Sequence, residues 1–296
     1  MLNSFESRIF VLKLVASITE LTRTHFFLHN AHLKGELQMN SWTELGTELE
    51  NALRLKTKII AYRKLDRPDE LNTIKNVTRL DRFFTFCQVP FMVRVNGITV
   101  GITKDDKIQH RCSRLFGLRQ ATEKSMNAEA AMLSTTWFRS PEEALQQQND
   151  YYRIPVGEAI VLAPLIKQKF EPEVVLMYGN PAQTMMVLCA LQKIKYERFS
   201  FSFIGEGACT DSLAQCYVTG KPAVSIPCYG ERSMGGVSDD EMSIALPAGE
   251  LERTISGLKE LAKIGFKYPI NSIGPWLDPT PLLSGIYKEP GKPNSG

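Results

Sequence analysis

The stretch Glu173-Val-Val-Leu-Met-Tyr-Gly-Asn-Pro-Ala-Gln-Thr-Met-Met-Val-Leu-Cys-Ala-Leu191 decides the fold class. After Glu173, residues 174–178 form an apolar run of the kind a buried strand needs. Gly179 then breaks the run, Asn180 can accept hydrogen bonds as an N-cap, and Pro181 suits the first helical position, where a missing N–H costs nothing. An apolar helix follows. Its spacing predicts Met185, Leu188 and Leu191 in the core, with Cys189 as a small buried apolar residue.

Working outward, Ala159–Pro164 is a second apolar strand, and further strands are expected near residues 202, 224 and 244. Residues 248–264 read as a helix stopped by Gly265. Upstream, residues 42–55 are amphipathic, with Ser41 or Asn40 as N-cap and Glu44 three after Ser41, at capping-box spacing. Residues 57–65 read as a strand. Phe83–Val95 is rich in β-formers, so it is expected as a strand with Pro90 at an edge or bend. Asn96-Gly97 then reads as a hairpin turn into residues 98–103. Residues 119–133 are expected to be helical, and Ser140-Pro141 opens another helix. The alternation predicts an α/β (or α+β) fold: a single compact domain with a mixed sheet flanked by helices.

The chain has 296 residues, 43% of them hydrophobic and 23% charged, with a net charge of +3. Such a weak, dispersed charge argues against a nucleic-acid partner. No run of 18 uncharged apolar residues offers a membrane span. Residues 8–17 have the look of a signal sequence, but Lys13 interrupts them and Glu6 spoils the basic flank, so a cytoplasmic protein is expected. The expected organisation is an N-terminal helical extension over 1–38, the domain over 39–267 and an irregular tail over 268–296. In the extension, His25, His29 and His32 share one helix face. They are expected to be a solvated face rather than a metal site.

Six cysteines, at 87, 112, 189, 209, 216 and 228, include no C-x-x-C pair. Cys189 and Cys216 read as buried apolar residues. The other four differ. Cys112 stands between Arg111 and Arg114, and cations lower a thiol's pKa. Cys209 follows Gly205-Glu-Gly-Ala, and Cys228 precedes Tyr229-Gly-Glu-Arg232. Glycine-containing turns at strand ends are where such folds build sites. Gly205-Glu-Gly-Ala lacks the third glycine of a dinucleotide fingerprint, and there is no phosphate-binding P-loop. His110 is the lone histidine after residue 38, so a Ser-His-Asp hydrolase is hard to build.

These residues resemble the uncharacterised prokaryotic ArCR family, a domain of unknown function. The resemblance runs over about residues 43–265. It is carried by Thr43-Glu-Leu-Gly-Thr-Glu-Leu49, Leu55–Tyr62, Phe86-Cys-Gln-Val-Pro-Phe91, Val95–Val100, Arg111-Cys-Ser-Arg-Leu-Phe-Gly-Leu118, the 173–183 segment, Gly207-Ala-Cys-Thr-Asp211, Pro227-Cys-Tyr-Gly-Glu-Arg232, Asp240-Glu-Met242 and Leu246-Pro247. It implies cysteines at Cys87, Cys112, Cys209 and Cys228 and an arginine at Arg232. The chain departs from the family at Lys58-Ile59, where a Pro-Pro pair is usual, and at Arg111 and Ser113, where small residues or proline are usual.

The expected function leans to an enzyme, an oxidoreductase or lyase, acting on a small anionic substrate, aromatic or carboxylic, in a cysteine-lined pocket. Its centre would be an iron–sulfur cluster or a single metal ion held by Cys87, Cys112, Cys209 and Cys228. The expected catalytic groups are Cys112, His110 and Arg232, and the expected substrate contacts Arg232, Glu206, Asn180 and Gln183. Two alternatives stay open: a metal-free cysteine-dependent enzyme, and a non-catalytic small-molecule-binding protein. Self-association into a homo-oligomer is compatible with all three.

Overall fold

The computed structural model describes residues 41–281 and 283. The N-terminal extension, with His25, His29 and His32, lies outside the described residues. Seven strands form one mixed sheet in the order β2-β3-β4-β1-β5-β7-β6. They are β1 (Ile60–Leu65), β2 (Val77–Thr78), β3 (Thr99–Thr103), β4 (Ala159–Pro164), β5 (Val174–Gly179), β6 (Ala223–Ser225) and β7 (Met242–Pro247). Every neighbouring pair is antiparallel except β2 with β3. Among the described residues no helix is long and apolar enough to cross a membrane.

Both faces of the central strands are buried, because alternate residues point to opposite sides. Ile60, Tyr62, Val174, Leu176 and Tyr178 face one apolar layer. Ala61, Val175, Met177, Ile244 and Leu246 face the other. Three helices cover this second face: α1 (Trp42–Leu53), α6 (Pro181–Ile194) and α9 (Leu251–Lys263). The Ser41–Glu44 capping box starts α1 as its sequence predicts, and Leu45, Leu49 and Leu53 are buried. Each contributes roughly 1.5–3 kcal/mol through burial.

The first face is covered by shorter elements: α2 (Gln88–Arg94), α3 (His110–Leu115), and a π-turn over Thr210–Ala214 that runs into α7 (Gln215–Thr219). Beside them lie α4 (Glu123–Leu133), α5 (Pro141–Asp150) and α8 (Tyr229–Ser233). The candidate site lies on this irregular side.

Four expectations change. Residues 88–94 are a helix, not a strand. Phe86, Val89 and Val93 are buried at helical spacing, and Pro90 falls in the first turn, where it removes no intrahelical bond. Gly97 (φ +70) closes that helix by donating its N–H to Val93, so Asn96-Gly97 is a helix terminus. No strand forms near 202. The Ile204 N–H that would enter a ladder donates instead to the Asp211 carboxylate at 2.5 Å. Finally, α6 buries Gln183, Met186, Val187, Ala190 and Leu191, while Met185 is exposed and Leu188 and Cys189 are half-buried. The buried stripe passes through a polar residue, Gln183, whose amide is spent on the Leu53 and Arg54 carbonyls.

Candidate functional site

Four separate segments bring Cys87, Cys112, Cys209 and Cys228 to one place. Phe86 stacks on Phe116 with ring centroids 3.6 Å apart, pressing residues 85–88 onto α3. The Phe86 N–H points at the Cys112 sulfur, 3.3 Å away. Cys87, next in the chain, is thereby set beside Cys112. Cys209 leads into the π-turn, and Cys228 caps α8. The point where a Gly230 Cβ would sit lies 3.5 Å from the Cys87 sulfur, 3.7 Å from the Cys228 sulfur and 3.3 Å from the Met234 methyl. Two thiols and a thioether arm therefore surround one small cradle, and the missing side chain at residue 230 keeps it open.

The electrostatics report the same convergence. Burial pushes the Cys209 thiol well up, and Glu231, Cys87, Cys228 and Cys112 push it further. Burial also raises Cys87, with Cys112, Glu231 and Cys228 adding to it and Arg111 opposing. Cys112 is pushed up to about 11, chiefly by burial, against the Phe86 N–H and Arg111. These interactions link Cys209 with Cys87, Cys228 and Cys112, and Cys87 with Cys112 and Cys228. Cys228 is raised by burial and by Glu231, while the N–H groups of Glu231, Ala208 and Gly207 pull it back. Glu231 is itself 2% exposed and accepts from the Tyr178 hydroxyl at 3.2 Å and the Cys228 N–H at 3.2 Å. Burial lifts its carboxyl too.

Arg111 is the cation that opposes them at Cys87 and Cys112. Its two terminal nitrogens grip the Glu206 carboxylate, both contacts at 2.6 Å, and its Nε lies 3.2 Å from Glu129. Arg114 pairs with the other Glu129 oxygen. The Tyr151 hydroxyl donates to Glu206 at 2.7 Å. Sequence reasoning noticed Arg111 beside Cys112 but expected the arginines to make Cys112 a thiolate. Burial outweighs them. Glu231 was missed, although it stands three residues after Cys228 at capping-box spacing.

The other expected residues are engaged elsewhere. Arg232 donates to the Pro227 carbonyl at 3.1 Å and the Ser238 carbonyl at 2.5 Å, and so latches its own loop. His110 is exposed and pairs with Arg119 at 2.9 Å. Asn180 caps α6 and donates to the Tyr268 hydroxyl at 3.0 Å. Gln183 completes that capping box. These two share a small polar crevice with Lys56 and Asp240, separate in its lining from the cysteines. Of the expected substrate contacts, Glu206 touches the cysteine network through Arg111, and Arg232 acts on it by its charge at Glu231. At the surface of the cysteine turn, Tyr229 and Trp137 are 69% and 52% exposed and lie 6.0 Å apart, tilted by 59°.

A model of the family described as Uncharacterised ArCR matches residues 48–257, a span that holds all four converging cysteines. The chain belongs to this family. The ArCR chain is also 26% identical over 107 residues to the uncharacterized protein MJ0308 of Methanocaldococcus jannaschii. That stretch is 36% of this chain and 46% of the relative, so the match spans about half the length of the curated protein. No solved structure matches the ArCR chain.

Proposed function

We propose that the chain is an enzyme built on an iron–sulfur centre held by Cys87, Cys112, Cys209 and Cys228, acting on a small anionic or aromatic substrate at the adjoining surface. The convergence of four thiols from four segments, with no histidine among them, carries this reading. Such an all-sulfur donor set suits thiophilic metals and iron–sulfur clusters. Among the described residues no three His, Cys, Asp or Glu side chains come close enough to grip one ion. Thiolates on a single ion would lie about 4 Å apart, given metal–sulfur bonds of about 2.3 Å. We therefore favour a multi-iron cluster, whose ligand sulfurs stand farther apart, over a single ion. The cradle at Gly230 and the three N–H groups facing Cys228 fit the same reading, because hydrogen bonds to ligand sulfurs tune such centres. Bound there through all four thiolates, a cluster would supply one-electron transfer.

The chain's own residues would do the rest. Glu231 and Tyr178 hold the turn that carries Cys228. Trp137 and Tyr229 offer exposed ring faces to a planar substrate. Arg232 keeps a guanidinium within 3.9 Å of one exposed carboxylate, Asp239, which an anionic substrate could replace. A metal-free thiol enzyme is the second reading, and the N–H groups around Cys228 favour Cys228 as its nucleophile.

The test is anaerobic purification and reconstitution with iron and sulfide, followed by iron and sulfide analysis and visible absorption. Cys87→Ser, Cys112→Ser, Cys209→Ser and Cys228→Ser should each lower the iron bound, while Cys189→Ser and Cys216→Ser should not. A colourless, iron-free wild type with a selectively alkylated Cys228 would replace this reading with the metal-free one.

A further inference from the structure

The network of Arg111, Glu206, Glu129, Arg114 and Tyr151 does more than hold a helix in place. Arg111 precedes Cys112 on α3, and Glu206 stands three residues before Cys209 in the glycine-rich turn. Their two-pronged contact, 2.6 Å on each side, joins two of the four cysteine segments directly. The Glu206 carbonyl is also fixed, accepting from the Gln147 amide at 3.0 Å. Glu129, on α4, holds the remaining edge of the guanidinium. Side chains of Arg111, Glu206 and Glu129 are 18%, 12% and 5% exposed, so water screens their charges poorly.

We infer that Arg111 and Glu206 form an opposed charge pair that biases the cysteine centre from two directions while tying the Cys112 helix to the Cys209 turn. The inference rests on the iron–sulfur reading of the site and names two positioning residues for it. Neither residue supplies a ligand or touches a reacting atom. Arg111 is the residue before Cys112, and its two-pronged contact fixes the Glu206 carboxylate against it, so one poorly screened positive and one poorly screened negative charge stand beside the centre. A reduced centre carries one more negative charge than the oxidised one, so the same two residues must move its potential oppositely.

The experiment uses the full chain, reconstituted with iron and sulfide, and compares wild type with Arg111→Gln, Arg111→Lys and Glu206→Gln. The readouts are iron content and midpoint potential. Arg111→Gln should shift the potential negative, Glu206→Gln positive, and Arg111→Lys should stay nearest wild type. Shifts of the same sign, or iron loss without opposed shifts, would reduce the pair to a structural tie and overturn the inference. Glu206→Gln keeps the size and much of the hydrogen bonding of the original, so it decides the matter alone if Arg111→Gln does not fold. Should the wild type hold no iron, the iron–sulfur reading fails, and the pair is judged on the metal-free protein. There Arg111→Gln should slow alkylation of Cys87 and Cys112 by iodoacetamide and Glu206→Gln should speed that of Cys112. Unchanged rates would overturn the charge pair independently.

Discussion

Gly207→Ala tests whether the glycine-rich turn is built for the cysteine site. Gly207 has φ +78, a conformation in which an L side chain costs about 1–2 kcal/mol. Its added Cβ would also sit 2.8 Å from both Cε1 and the hydroxyl of Tyr151. Tyr151 is 4% exposed and its hydroxyl is held by Gln147 and Glu206, so the ring has little room to retreat. Relieving such a contact costs about another 1–2 kcal/mol. Together these predict a loss of about 2–4 kcal/mol, which lowers the melting temperature of a domain this size by on the order of 10 °C. Gly205, two residues away, is the internal control. A Cβ there meets nothing within 4 Å, and its φ is not positive. Thermal melting followed by circular dichroism reads the stability, and iron content after reconstitution reads the site. Gly207→Ala should fall on both counts and Gly205→Ala on neither. Equal behaviour of the two variants would refute the idea that this turn's geometry is fixed by the site.

Four other outcomes follow from the packing. Gly257→Ala places a Cβ 1.9 Å from the Ala190 carbonyl oxygen, so α9 and α6 must separate; denaturant titration should show a loss of about 3 kcal/mol or more. Arg94→Leu leaves Glu241 buried without its partner at 3.1 Å and should cost about 3–5 kcal/mol, whereas the double Arg94→Leu, Glu241→Leu variant should lose less in the same titration. Burial lifts the Asp211 carboxyl from 3.8 to about 6 against the Ile204 N–H. Between those values the folded chain keeps a proton that the unfolded chain has released, so this group's contribution to stability falls as pH rises from about 4 to about 6. Unfolding midpoints across that window should lose this slope in Asp211→Asn. His110→Ala, at an exposed ring paired with Arg119, should leave iron content unchanged.

Most of the sheet was legible because strands such as Val174–Gly179 are apolar throughout and are bounded by clear punctuation. The Asn180-Pro181 start and the Ser41–Glu44 box were legible for the same local reason. Errors arose where two signals share one composition. Phe83–Val95 is full of β-formers, yet its buried residues recur at helical spacing, and only the neighbours α3 and β3 reveal which face is inside. The Phe201–Ile204 segment alternates like a strand, but its hydrogen bond goes to a carboxylate seven residues later. Neither competition is visible without the tertiary structure.

The site was legible by composition and hidden in its electrostatics. Four cysteines near glycines and arginines could be picked out one by one, and the fold brings those same four together. What a sequence cannot state is which partner each charge meets. Arg232 stands four residues from Cys228 and looks free, but it satisfies two backbone carbonyls of its own loop. Arg111 stands next to Cys112 and looks like a thiolate's counterion, but it is spent first on Glu206 and Glu129. Glu231 looks like an ordinary capping carboxylate, but it is buried against Tyr178 and adds to the upward push on the Cys87, Cys209 and Cys228 thiols. Its buried carboxyl opposes thiolate formation at Cys87, Cys209 and Cys228, whereas a bound metal centre would reverse that balance by supplying the missing positive charge. Glu231→Gln tests this balance: in the metal-free protein it should make those cysteines more reactive to alkylation, and under the proposed loading with iron and sulfide it should leave them protected.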